Sequence, residues 1–105
     1  MIISEEVRNV IEKSAFLVLV TVKPDGTPHP IVAGKGTVEG DSVVFGVYKM
    51  EQTRKNILTN SAAQVLGATL DGGPKGFRLT GTAKARENGA DKQVVVTVSA
   101  VDVLL

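Results

Sequence analysis

Two cations stand side by side where a helix would begin. Over Gln52-Thr53-Arg54-Lys55-Asn56-Ile57-Leu58-Thr59-Asn60 the two-residue alternation of the preceding chain is lost. The stretch reads as a short helix with Ile57 and Leu58 turned inward. With Thr53 as its cap, Arg54 and Lys55 fall in the first turn. The helix dipole disfavours cations there, by a few tenths to about 1 kcal/mol. A bound anion reverses the sign, because free N–H groups, a hydroxyl and two cations converge on it. The same residues also read as a solvated helix end whose charge Glu51 offsets.

Lys35 is a second candidate. Its setting, Ala33-Gly34-Lys35-Gly36, is a run of small residues inside a strand, and strand glycines mark a bulge or the close approach of a ligand. An outward lysine on a bulged strand accounts for the same pattern. His29, between Pro28 and Pro30, is the single histidine and reads as a strand-entry residue. A nucleophilic triad would have to use it, and no strained G-x-S-x-G turn accompanies it. Asp71-Gly72-Gly73-Pro74-Lys75-Gly76 lacks the spacing of a Walker loop and lies between strands. No pair of carboxylates stands out for acid–base work.

Composition narrows the chemistry further. The 105 residues include no cysteine, which excludes disulfides, thiolate catalysis and cysteine-ligated metals. One histidine cannot build a multi-histidine zinc site within one chain. Twelve Lys and Arg against eleven Asp and Glu leave a net charge of +1. That balance argues against a nucleic-acid binder, whose affinity rests on many phosphate contacts. So do the sparse aromatics Phe16, Phe45, Tyr48 and Phe77, which all fall on expected strands and read mostly as core. Of the two longest apolar runs, Ala15–Val20 is too short to span a bilayer, and Val94–Leu105 is broken by Thr97, Ser99 and Asp102. The expectation is one soluble, cytoplasmic domain over residues 1–105, without a membrane or nucleic-acid partner.

The elements that must position these residues follow from periodicity and punctuation. Ser4 caps a helix from about Glu5 to Lys13, with Glu5 and Glu6 at its positive end. Ala15–Val22, Ile31–Val38 and Ser42–Tyr48 read as three strands of an antiparallel meander, joined by turns at Pro24-Asp25-Gly26 and Glu39-Gly40-Asp41. After the second helix come strands over Ala62–Leu70, Phe77–Arg86 and Gln93–Leu104. The fold expected is mainly β, a six-stranded antiparallel barrel, closed or split, with two short helices. The run Val94–Leu105 stays apolar to the last residue. A soluble monomer seldom leaves such a run exposed, so a symmetric partner is its expected cover.

The pieces also carry a family pattern. Phe16–Val22 leads into Pro24-Asp25-Gly26-Thr27-Pro28-His29; Thr53-Arg54-Lys55-Asn56-Ile57 leads into Asn60-Ser61-Ala62-Ala63; Gly76–Thr80 leads into Gly81-Thr82-Ala83. In order and spacing the chain resembles the FMN-binding split β-barrel proteins related to pyridoxamine 5′-phosphate oxidase, nearest the small bacterial FMN-binding proteins. The resemblance implies an FMN phosphate held by Gln52, Thr53, Arg54, Lys55 and Asn56, with Ala33 and Lys35 on strand positions facing the cofactor. It implies a flavin at a homodimer interface, serving flavin-dependent oxidoreduction or electron transfer with a small-molecule or protein redox partner. The chain departs from the pattern in two places. Gln52 stands where a lysine is frequent, and Ala33-Gly34 replaces polar and aromatic residues near the ring. Without the C-terminal extension of the pyridoxamine phosphate oxidases, that particular activity is not expected. A deazaflavin-dependent reductase and a cofactor-free interaction module are the alternative readings.

Overall fold

The computed structural model describes residues 2–105. Helix α1 (Glu5–Lys13) forms as its signals direct. The Ser4 hydroxyl accepts the Val7 N–H at 3.3 Å, Glu5 and Glu6 occupy the positive end, and Lys13 the negative end. Its buried stripe, Val7, Val10 and Ile11, packs against the sheet.

The strands are β1 (Leu17–Val22), β2 (Pro28–Gly34), β3 (Thr37–Glu39), β4 (Ser42–Gly46), β5 (Ala62–Thr69), β6 (Lys75–Asn88) and β7 (Asp91–Val103). Between β4 and β5 lies helix α2 (Glu51–Thr59). All seven strands belong to one antiparallel sheet, ordered β2-β1-β5-β6-β7-β4-β3. The expected six becomes seven because Ile31–Val38 is not one strand. It divides at Gly34-Lys35-Gly36, its first half pairing with β1 and its second with β4. The expected meander is therefore a link between opposite edges of the sheet.

That link dictates the curvature. Only Lys35 and Gly36 lie between the end of β2 and the start of β3, three residue steps with a reach of about 10 Å at full extension. The sheet must curl until its two edges face each other. Gly36 lies where they converge. A Cβ there would sit 2.9 Å from Leu17 Cδ1, 3.0 Å from Val43 Cγ1 and 3.3 Å from Phe45 Cε1, atoms of β1 and β4, the strands next to the two edges. The hydrogen-bonded ladder does not close across this seam, so the barrel is split rather than complete.

The interior is filled by inward-facing residues of every strand but β2, whose Ile31 and Ala33 are only half-buried against it. Leu17, Leu19, Val43, Phe45, Val65, Leu79, Val94 and Val96 are buried, with Ile57 of α2 added from the side. The C-terminal run is thus half accounted for within one chain. Val94, Val95, Val96 and Val98 are buried, whereas Val103, Leu104 and Leu105 are exposed. Two aromatics depart from the expected core. Phe45 and Phe77 are buried, but Phe16 is 68% exposed and Tyr48 79%. Both lie just outside strands, Phe16 before β1 and Tyr48 after β4, where alternation no longer constrains them. Among the described residues, no helix is long and apolar enough to cross a membrane.

Candidate functional site

A cleft of about 560 Å³ opens between β2 and the segment that leads into α2. His29, Ile31 and Val32 form one wall. Tyr48, Lys49, Met50, Glu51, Gln52 and Thr53 form the other. The second wall exists because β4 ends early. The expected strand to Tyr48 stops at Gly46, and the Val47 N–H then donates to the Lys92 carbonyl at 2.9 Å. Val47 packs on the core and Met50 is buried, so the segment is anchored on both sides of Tyr48-Lys49. Among the described residues, Lys49 alone adopts a positive φ, 64°, without being glycine.

The cap of helix α2 lies three residues earlier than the sequence suggests, and Thr53 does not hold it. Met50 holds that position and offers no side-chain acceptor. Thr53 is the third residue of the helix, 1% exposed, and lines the cleft. Its hydroxyl has no hydrogen-bond partner among the described residues. An unpartnered buried hydroxyl costs about 1–3 kcal/mol. Here it stands within a first turn whose positive end no side chain caps.

The residues around Thr53 divide between cleft, interior and solvent. Gln52 lines the cleft and donates through Nε2 to Asn56 Oδ1 at 2.7 Å. Asn56 is fully buried and donates through Nδ2 to Thr21 Oγ1 at 3.0 Å. That chain of bonds pins α2 to β1 and orients Gln52, with Asn56 behind the wall of the cleft. Arg54 is half-buried and lines a separate groove of about 100 Å³ with Val47, Arg86, Lys92 and Gln93. Lys55 is exposed. Among the described residues neither cation makes an ion pair. Ala33 is half-buried against the core, and Lys35 is exposed in the link between β2 and β3. The structure thus brings Gln52 and Thr53 into the cleft and leaves Ala33, Lys35, Arg54, Lys55 and Asn56 outside its lining.

His29, Ile31, Val32 and Tyr48–Glu51 are cleft residues that sequence reasoning did not select. His29 carried a signal as the only imidazole of the chain. The others carried none, because the wall joins β2 to a segment about twenty residues further on. Chemically, the cleft offers apolar surface from Ile31, Val32 and Met50 beside a helix end with a free hydroxyl donor. It suits a ligand with an apolar body and an anionic end.

A curled seven-stranded antiparallel sheet, not closed into a complete barrel and flanked by two short helices, defines a split-barrel fold. The family model described as pyridoxamine 5′-phosphate oxidase matches residues 3–101, and the chain belongs to that family. The fold is shared with solved structures of low sequence identity. HupZ of Group A Streptococcus superposes with a TM-score of 0.83 at 18% identity, over 97% of this chain and 94% of that one. An F420 reductase gives 0.74 at 20% identity, over 90% and 94%. A heme binding protein from Mycobacterium smegmatis gives 0.78 at 16% identity, over 95% of this chain and 52% of that one. No curated protein sequence matches the chain significantly.

Proposed function

We propose that the chain is an FMN-binding redox protein, acting as a cytoplasmic homodimer with a small-molecule or protein redox partner. The observation that carries this reading is Thr53, a buried hydroxyl without a partner on the wall of the cleft. A phosphate oxygen is the acceptor that such a donor and the adjoining helix dipole favour. Thr53 Oγ1 donates to it, the first-turn amides face it, and Gln52 is held beside it by Asn56. Arg54 and Lys55 add positive field from the flanks of the same helix. Ile31, Val32 and Met50 supply the apolar wall that excludes water from a ring system. Bound FMN supplies the electron-transfer chemistry, and the chain supplies position, charge and shielding.

Titration of the purified protein with FMN, riboflavin, a deazaflavin and hemin, followed by absorbance, tests the reading. FMN should bind most tightly, with riboflavin weaker for want of the phosphate. Equal affinity for FMN and riboflavin would remove the phosphate assignment, and preference for a deazaflavin or hemin would replace FMN. The double variant Arg54→Ala/Lys55→Ala should lose about 1 kcal/mol of FMN affinity through the helix-end field and leave riboflavin unmoved. That loss should shrink as salt is raised.

The homodimer rests on the outer face of the sheet. Val32 on β2 and Val18 on β1 are register partners, as are Val18 and Leu66 on β5. Phe16, Leu104 and Leu105 extend the apolar surface, forming with Val18 and Leu66 a groove of about 320 Å³. Val32 is 68% exposed and also lines the cleft, so the open side of the cleft adjoins this apolar face. A second copy seated there would cover both. Sedimentation across a dilution series should give a dimer at micromolar concentration, and added FMN should hold the dimer to lower concentrations. Phe16→Glu should shift the equilibrium to monomer and weaken FMN binding with it. A wild-type monomer that binds FMN tightly would overturn the assembly.

A further inference from the structure

Tyr48 has no role in the packing of this chain. It is 79% exposed, yet its two anchoring neighbours are not: Val47 packs on the core and Met50 is buried. Backbone bonds fix the segment at both ends, from Val47 N–H to the Lys92 carbonyl and from Arg54 N–H to the Met50 carbonyl, each at 2.9 Å. The turn that presents Tyr48 is costly in itself. Lys49 sits at φ 64°, a left-handed conformation disfavoured for a residue with a Cβ. Nothing in the sequence relieves it with a glycine. Scattered exposed aromatics need no explanation on a convex surface. This ring instead lines the cleft of about 560 Å³, together with Ile31 and Val32.

We infer that Tyr48 is a ring-stacking residue, held at the mouth of the cleft to take the face of a planar aromatic ligand. The Lys49 ammonium lies over the Tyr48 ring, 5.5 Å from its centroid, and the side chain as a whole stays 79% exposed. A tyrosine suits this work. Its ring is rigid, carries a large apolar area, and loses little side-chain freedom on contact. The role rests on the reading of the cleft as a flavin site, and it adds the residue that would select flat ring systems over aliphatic phosphates. Thr53 and the helix end would recognise the anionic end of the ligand, and Tyr48 its ring.

The chain itself supplies the probe, because Tyr48 is the only tyrosine. Its ring protons can be followed by NMR without ambiguity while riboflavin, which has no phosphate, is added. Stacking should move them upfield through the ring current of the ligand. Tyr48→Phe keeps the ring and should bind riboflavin as wild type does. Tyr48→Leu keeps apolar bulk without the ring and should bind about fivefold more weakly. Both variants should keep the wild-type melting temperature, since the side chain is exposed. Riboflavin binding with unmoved Tyr48 resonances, and with equal affinity in Tyr48→Leu, would overturn the stacking role and leave the flavin cleft standing. Failure of the wild-type protein to bind FMN and riboflavin alike would overturn both.

Discussion

Replacing Thr53 with valine should stabilise the empty protein and weaken its grip on FMN. The two side chains are nearly isosteric, so the exchange removes a hydroxyl and little volume. That hydroxyl is buried and unpartnered, and its removal should add about 1 kcal/mol to the unfolding free energy. For a domain of this size the melting temperature should rise by roughly 4–8 °C. The same hydroxyl is the proposed donor to phosphate, and a hydrogen bond to a charged group contributes about 1.5–3 kcal/mol. FMN affinity should fall by that amount, while riboflavin affinity changes little. Thermal melts without ligand and titrations with both flavins measure the two signs separately. A Thr53→Val protein that binds FMN undiminished would remove Thr53 from the site. One that melts lower than wild type would mean that the hydroxyl serves the fold.

The largest loss of stability should come from Gly81→Ala. Gly81 lies on β6 beside an irregularity in its pairing with β7: Thr80 pairs with Ala100, but Gly81 pairs with Val98. Ser99 is the extra residue, and its hydroxyl donates to the Thr80 carbonyl at 3.1 Å. At this bulge the two backbones close up. A Cβ on Gly81 would overlap the Thr97 carbonyl oxygen and lie 2.7 Å from the carbonyl carbon. Those atoms belong to the backbone of an interior strand, so no rotamer change can make room. The cost should reach about 3 kcal/mol or more, at or beyond the upper range for overpacking. Gly46→Ala is the control: on β4, a Cβ there meets nothing within 4 Å, and its effect should stay within about 0.5 kcal/mol. Urea denaturation of both variants decides the matter. Equal midpoints would show that β6 and β7 can separate at the bulge without loss.

Gly81 also marks how far a sequence reaches. Gly81-Thr82-Ala83 is visible as part of a pattern, but the reason for the glycine is Thr97, sixteen positions away on β7. What local sequence did determine is what local physics controls. The Ser4 cap, the acidic first turn and the Val7, Val10, Ile11 stripe specify α1 within a dozen residues. Alternation places β1, β4, β5, β6 and β7 to within a few residues, and the loss of alternation after Tyr48 announces α2. The family, too, was legible in the order and spacing of its short motifs, and the match over residues 3–101 bears it out.

Tertiary structure decided the rest. The seventh strand exists because the two halves of Ile31–Val38 find different partners, β1 on one side of the sheet and β4 on the other, and nothing within the segment names them. The cleft forms where β2 meets the chain just before α2, with Thr53 in its wall. Which face of α2 points inward is set by Asn56 reaching Thr21, thirty-five residues back along the chain. That bond places Asn56 in the interior and Gln52 on the cleft, while Arg54 opens on another groove. A cap and a strand period are properties of neighbouring residues, so the sequence carries them openly. An unpartnered hydroxyl, an exposed ring over a cleft and a glycine against a distant carbonyl are properties of the space between elements, which exists only once the sheet has curled.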